Sequence, residues 1–437
     1  MTATKFRKTH KGLAAVRALG LGILALGLLA GAHARQKKIT MTTSSQQAKD
    51  LLNQAVQALE SFDQQKATQL AKEAVKADSN FAFAQMLVAA LTRPPQPQPH
   101  IDKFTALAKN ASAGEQQYLE AMSFVLNNSA EKAIPIFEKL HKDFPEERRV
   151  CQMLGQLNMN TGKIDAAIPY FEKAIKLDGS LARAYSFLGN CYLLKDNFTK
   201  ARELYQTAIT KISAEASPFQ PFFGLTFAYL YEGKPDPALE NEKEFLARYI
   251  RNGSTTGPQG FPPVWIYNNM ARINLEFGRS DEALKLYEEG YKSVPGSSID
   301  STQKQIWYGR TLHGQARTLA KMGKHEEAWK IAEQIKQMIE TGGKEGEEYW
   351  EAYHYLAGYI KFESGDYKAA AEHLEQADQN DPFHKLLLAR TSLKLGDKAY
   401  ALQTYQEIVK TNFSNMERAL AYPEAKKMVA QLNGGTN

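Results

Sequence analysis

Residues 151–208 read CQMLGQLNMNTGKIDAAIPYFEKAIKLDGSLARAYSFLGNCYLLKDNFTKARELYQTA. The stretch is two copies of one pattern. Gly155 and Gly189 are 34 residues apart, as are Ala167 and Ala201, Phe171 and Tyr205, and Ala174 and Ala208. Within one copy, Ile164, Ala167, Ile168, Phe171, Ala174 and Ile175 recur at three- and four-residue steps, the period of an amphipathic helix. Asn160-Thr-Gly-Lys supplies the break before it. A unit of this length cannot bury its own apolar face, so neighbours must stack to make a core.

The register runs outward from this pair in both directions. Upstream, Ala121, Ala133, Phe137 and Pro145 mark one unit, and Ala55, Ala67, Ala71 and Ala74 mark a weaker one. Downstream come Phe222, Leu225, Tyr229, Gly233 and Ala238, then Tyr267, Ala271, Gly278, Ala283, Tyr287 and Pro295. Ala316, Gly323 and Ala328 follow, then Gly358, Gly365, Ala370, Ala377 and Pro382, and finally Ala389, Gly396, Ala401 and Tyr405. Residues 80–110 read as a degraded helix pair interrupted by Pro-rich sequence, and 416–432 as a helix capping the apolar end of the stack. No segment shows sustained strand alternation.

This pattern resembles the tetratricopeptide repeat, a 34-residue helix-turn-helix. The expected fold is therefore all-α: a right-handed superhelical α-solenoid of about nine to ten tetratricopeptide units with a C-terminal capping helix. Small residues at the eighth and twentieth places let paired helices approach. The aromatic at the twenty-fourth fills the gap to the next repeat, and the closing Pro ends the second helix. The opening Ile39-Thr-Met-Thr-Thr-Ser-Ser and the long array are similar to secreted tetratricopeptide proteins of bacteria. Such repeats serve as binding platforms and do not specify a reaction.

Composition agrees with a folded chain, with 43% hydrophobic and 23% charged residues in 437. The first 34 residues carry Lys5, Arg7, Lys8, Lys11 and Arg17 and no acid, so they hold nearly all the formal charge of +6. The rest has 49 basic against 48 acidic residues, which gives no electrostatic case for nucleic acid. The basic start, the apolar run Ala18–Ala32 and Ala32-His33-Ala34 form the three parts of a signal peptide cleaved after Ala34. The run is too short for the roughly 20 residues that span a bilayer, and no later segment is apolar enough. The expectation is an exported chain, periplasmic or secreted, with no membrane segment once mature. Cys151 and Cys191 fall at different heights on neighbouring helices, so they read as two buried thiols rather than a disulfide.

The expected organisation is a signal peptide at 1–34, a flexible segment at 35–45 and a first repeat block at 46–250. A Gly/Pro-rich loop at 251–263, a second block at 264–413 and a capping helix with tail at 414–437 follow. The run Arg93–His100 reads as a stiff polyproline-like connector, and Thr341–Gly346 as flexible spacing.

Chemical signatures are few. No Gly-rich loop has phosphate-binding spacing, and no nucleophile elbow exists. Glu351 and His354 share a helical face, but a di-iron bundle needs a second such pair and two further Glu. His354 therefore reads as packing, and His373 and His384 have no ligand spacing. No cofactor or metal is expected, and the chain reads as a non-enzyme.

The first helix of each repeat lines the concave face of such an array. Its inward places give Phe223, Phe227, Leu230 and Tyr231 in one repeat, and Trp265, Asn268, Asn269 and Arg272 in the next. Arg310, His313, Arg317 and Lys321 follow, then Tyr355, Tyr359 and Phe362. From these, Phe227, Tyr231, Trp265, Asn268, Asn269, Arg272, Arg310, His313, Arg317, Tyr355 and Tyr359 form the candidate ligand groove. Arg and Asn suit a peptide backbone or carboxylate, and the aromatics supply anchoring area. The clamp by which some relatives hold chain ends is absent: Ser186 precedes Asn190 and Gly224 fills the following place. The leading function is a non-catalytic scaffold for a protein or extended peptide. The alternative is a solute- or glycan-binding protein stacking sugar on Trp265, Tyr355 and Tyr359.

Overall fold

The computed structural model describes residues 38–92, 97–254, 260–343, 346–411 and 413–434. The expected signal peptide and its cleavage point lie outside them, as do parts of the 93–100, 251–263 and 341–346 stretches. The described residues are all-helical, without a strand. No helix among them is long and apolar enough to cross a membrane. In chain order the helices are α1 (Gln46–Glu60), α2 (Gln64–Ala77), α3 (Ala82–Leu91), α4 (Gln98–Ala108), α5 (Ala113–Leu126), α6 (Ala130–Asp143) and α7 (Arg148–Asn160). They continue with α8 (Ile164–Leu177), α9 (Ala182–Leu194), α10 (Phe198–Thr210), α11 (Phe219–Tyr231), α12 (Pro235–Arg251), α13 (Val264–Glu276) and α14 (Ser280–Lys292). The last are α15 (Ser301–Lys321), α16 (His325–Thr341), α17 (Trp350–Glu363), α18 (Tyr367–Leu374), α19 (Pro382–Lys394), α20 (Lys398–Lys410) and α21 (Met416–Leu432). Contacts group the chain into two units, 38–49 with 72–154 and 50–71 with 155–434.

In the first unit α3 packs on α4 and α5, and α5 on α6. The degraded pair read from 80–110 is α3 and α4. Most of α3 is buried, matching a helix apolar on every side. Phe83, Tyr118 and Phe137 form a chain of ring contacts at 5.2 and 5.5 Å. Residues 38–45, expected to be flexible, are held here. Glu147 accepts a hydrogen bond from Ile39 N (3.2 Å) and two from the Arg149 guanidinium (2.7 Å each). Glu115 accepts from Thr42 N (2.8 Å) and Thr42 Oγ1 (2.5 Å). Composition suggested a free lead-in, but two buried carboxylates need donors, and this segment's backbone provides them.

In the second unit each first helix packs on its partner, as in α9 with α10, α11 with α12, α13 with α14, α15 with α16, α17 with α18 and α19 with α20. Successive first helices also meet: α9 with α11, α13 with α15, α15 with α17, and α17 with α19. The close-approach reading is seen directly. A Cβ placed on Gly155 would sit 2.7 Å from the buried Phe171 ring, and one on Gly189 2.9 Å from Tyr205. Tyr205 also lies against Gly224 of the following repeat, so the twenty-fourth-place aromatic does fill that gap. The two cysteines are buried thiols, and burial pushes Cys191 up to about 12.

The C-terminal helix does more than cap. It packs on α19 and α20, as a cap would, but it also lies on α11 and α13. Arg418 donates to Tyr231 Oη (2.8 Å), Lys426 pairs with Asp196 (2.9 Å), and Tyr422 donates to the same carboxylate. Met416, Ala419 and Tyr422 join the core formed around α11 and α12.

Candidate functional site

A cavity of about 1020 Å³ opens on the first-helix face of α13, α15, α17 and α19. Much of the wall comes from the inward stripes of first helices, which is why those residues were readable from spacing, while Tyr287, Ile335, Met338 and Ile339 enter from second helices and Glu417 from α21. Trp265, Asn268, Asn269 and Arg272 enter from α13, Arg310, His313 and Arg317 from α15, and Tyr355 from α17.

Three expected groove residues lie elsewhere. Tyr359 is 2% exposed and belongs to the core around α16 to α20. Tyr231 is buried, stacked on Phe198 (5.2 Å) and covered by Arg418. Phe227 is half-buried against Phe223 (6.0 Å). Tyr231 faces inward as expected, but α21 lies over it and takes it as a partner.

Other contributors were not read from sequence, among them Trp307, Asp381, His384 and Glu417. Asp381 caps α19, accepting from Phe383 N at 2.7 Å, and an Asp-Pro helix start could have located it. Glu417 bonds Arg272 Nη1 at 2.5 Å across 145 residues, and no local pattern announces such a pair.

The electrostatics follow from burial. Tyr355 lies nearly parallel to two imidazoles, with His384 at 4.0 Å and His313 at 5.8 Å. Burial and then the Arg317 charge push His313 well below its ordinary value, so it is neutral and Nε2 donates to Ala352 O (3.1 Å). Burial likewise lowers His384 and raises the Tyr355 phenol. Burial alone would raise Glu417, but the Arg272 guanidinium beside it holds it below the usual carboxylate range. Arg272 also lies over the Phe383 ring at 4.6 Å. Arg310 is exposed and sits over Trp307 at 4.9 Å. The cavity is thus aromatic-walled, with guanidinium cations, neutral imidazoles and a protonated phenol.

His354 and His373 come together outside the cavity, Nδ1 to Nδ1 at 3.1 Å. Among the described residues no group of three His, Cys, Asp or Glu side chains could hold a metal ion.

Paired helices, with glycines against the rings of Phe171, Tyr205 and Tyr287, define a helical-repeat protein. The tetratricopeptide repeat family's sequence profile matches residues 153–221 and 354–417, and those segments are tetratricopeptide repeats. A curated relative, BBSome complex member BBS4 of Bos taurus, is 24% identical over 341 residues, covering 72% of this chain. The matched part spans 61% of that protein's length. Among solved structures, yeast Tom70 is similar with a TM-score of 0.41 at 13% identity, covering 89% of this chain and 90% of that one. YrrB, described as a TPR protein with an unusual peptide-binding site, gives 0.33 at 17%, covering 46% and 90%.

Proposed function

We propose that this chain is an exported, non-catalytic scaffold that binds a protein or peptide partner on the cavity-bearing face of α13, α15 and α17. The observation that carries the reading is the cavity itself, aromatic-walled, with Arg310 exposed over Trp307. Aromatic and Arg side chains in one concavity are the composition of an interaction hot spot. Tetratricopeptide repeats support a role in protein interaction, and the relative in Bos taurus is by description a member of a complex. Export rests on the Lys5–Ala34 pattern alone.

Docked α21 limits the form of the partner. It lies on α11 and α13, so an extended peptide has the α13–α17 stretch available rather than the whole row. The glycan alternative loses support. Tyr355 and Tyr359 are each 2% exposed, so two of its three stacking rings are not free.

Arg272 is half-buried and paired with Glu417, and Arg317 is buried, so partner binding is best tested with Arg310→Glu combined with Trp307→Ala. Cross-linking in the native exported fraction should recover a partner with wild type and lose it at least about tenfold with the variant. Equal recovery by both proteins would sink the groove reading. Retention of the full-length chain inside the cell, with residues 1–34 uncleaved, would sink the export reading.

A further inference from the structure

The floor of the cavity is built differently from its rim. Arg317 is 6% exposed, and its Nε and Nη1 have no hydrogen-bond acceptor among the described residues. Its Nη2 reaches Tyr287 Oη at 3.5 Å, the outer limit of a hydrogen bond. No described carboxylate lies within ion-pair distance of it; Glu276 acts on it from further off, and the Tyr355 and Tyr359 rings lie at 5.8 and 6.0 Å. Tyr355 is 2% exposed, and its hydroxyl also has no partner. Arg272 has one nitrogen on Glu417, while its Nε is unmatched.

A buried guanidinium without a counter-ion is costly, and buried donors normally find acceptors. Here the unmatched donors belong to residues of α13, α15 and α17 that line one cavity. Glu417 takes one nitrogen of Arg272, whereas Nε and Nη1 of Arg317 have no acceptor, and a planar anionic group would supply one. Trp265, Trp307 and Ile339 line the same space and offer an apolar surface to the rest of a ligand. The volume, about 1020 Å³, is at the upper end of pockets that hold small molecules, and it is far too small for a folded domain.

We propose that this cavity is a binding site for a compact monocarboxylate with a flat apolar body. The carboxylate accepts from Arg317, with Tyr355 as a second donor. The guanidinium suits a planar two-oxygen acceptor better than a hydroxyl or amide. This site is independent of the partner-binding reading, because a ligand on the floor does not require a protein at the rim.

The test is a titration of the full mature chain with 3-phenylpropionate, read by calorimetry and by tryptophan fluorescence. Its neutral amide, inorganic phosphate and N-acetylphenylalanine are the comparison probes. The expected result is saturable binding of phenylpropionate at least about tenfold tighter than the amide or phosphate. N-acetylphenylalanine binding more tightly still would assign the carboxylate to a peptide end, and weaker binding would assign it to a free acid. Either result keeps the carboxylate site. Arg317→Met should abolish binding while leaving the thermal midpoint unchanged or higher, because a buried charge without an ion-pair partner is replaced by an apolar chain. Tyr355→Phe removes one hydroxyl without changing shape and should weaken binding severalfold, which keeps the test decisive if the methionine variant does not fold. Three outcomes overturn the proposal: no carboxylate binding tighter than about 1 mM, equal binding of acid and amide, or binding that survives Arg317→Met.

Discussion

Tyr205 shows how single residues hold the repeats together. Its ring is fully buried against Gly189 of its own repeat and Gly224 of the next, and its hydroxyl donates to Asn190 at 2.6 Å. Neither glycine has room for a methyl group. Gly224→Ala should therefore cost roughly 1–3 kcal/mol by overpacking, read as a lower urea midpoint at constant slope. Ala167, buried at the equivalent of Ala201, predicts the same range for Ala167→Leu. Glu242 supplies a pH dependence. It is enclosed between α11 and α12, accepting from Thr226 Oγ1 at 2.8 Å, and burial raises its pKa to about 8. The native state keeps the proton while the unfolded chain releases it near the ordinary 4.5. Stability from this group is full below about 4.5 and falls as pH rises towards 8, by about 3 kcal/mol at pH 7. Glu242→Gln should flatten the denaturation midpoint between pH 5 and about 8. An unchanged slope in that window would place the carboxyl in contact with water.

At the scale of elements, the turn inside each repeat needs one residue in the left-handed region. Gly162, Gly233, Gly278, Gly323, Gly365 and Gly396 fill it in the second unit, but Asp196 holds the same place with φ of 58°. An aspartate tolerates that conformation better than most residues, yet glycine would relieve it. The reason for Asp196 is α21, since its carboxylate receives Tyr422 and Lys426. Asp196→Gly should gain a little backbone freedom and lose the anchor. In a cycle with Tyr422→Phe the two changes should be non-additive by about 0.5–3 kcal/mol in chemical denaturation. Additive effects would mean that the pair contributes nothing measurable. The turn itself was legible from its glycines. The docking role of Asp196 was not, because its partners are 226 and 230 residues away.

On the scale of the molecule, α21 joins the last repeats of the second unit to its earlier ones. Arg390 grips Glu424 through two hydrogen bonds of 2.8 and 2.6 Å on one side, while Arg418 and Tyr422 reach Tyr231 and Asp196 on the other. Ending the chain after Thr411 would uncover Tyr231, Met270 and Arg272 together. The expected loss is on the order of 5 kcal/mol from the apolar area re-exposed, seen as a large fall in thermal midpoint. An unchanged midpoint would make α21 a detachable cover over the concave face.

The 34-residue spacing of Gly155 and Gly189, Ala167 and Ala201, and Phe171 and Tyr205 was enough to set the helix pairs and their core faces, because close packing allows few residue types at those places. It also found most of the cavity wall, since inward positions repeat with the helix period. Which inward residues stay open was decided by tertiary structure alone. Tyr231 is covered, Tyr359 is core, Arg272 is paired and Arg317 is not, and each outcome depends on where α21 and α19 lie against distant first helices. The contacts that cover Tyr231 and pair Arg272 join segments more than a hundred residues apart, so their energy leaves no periodic trace in the chain.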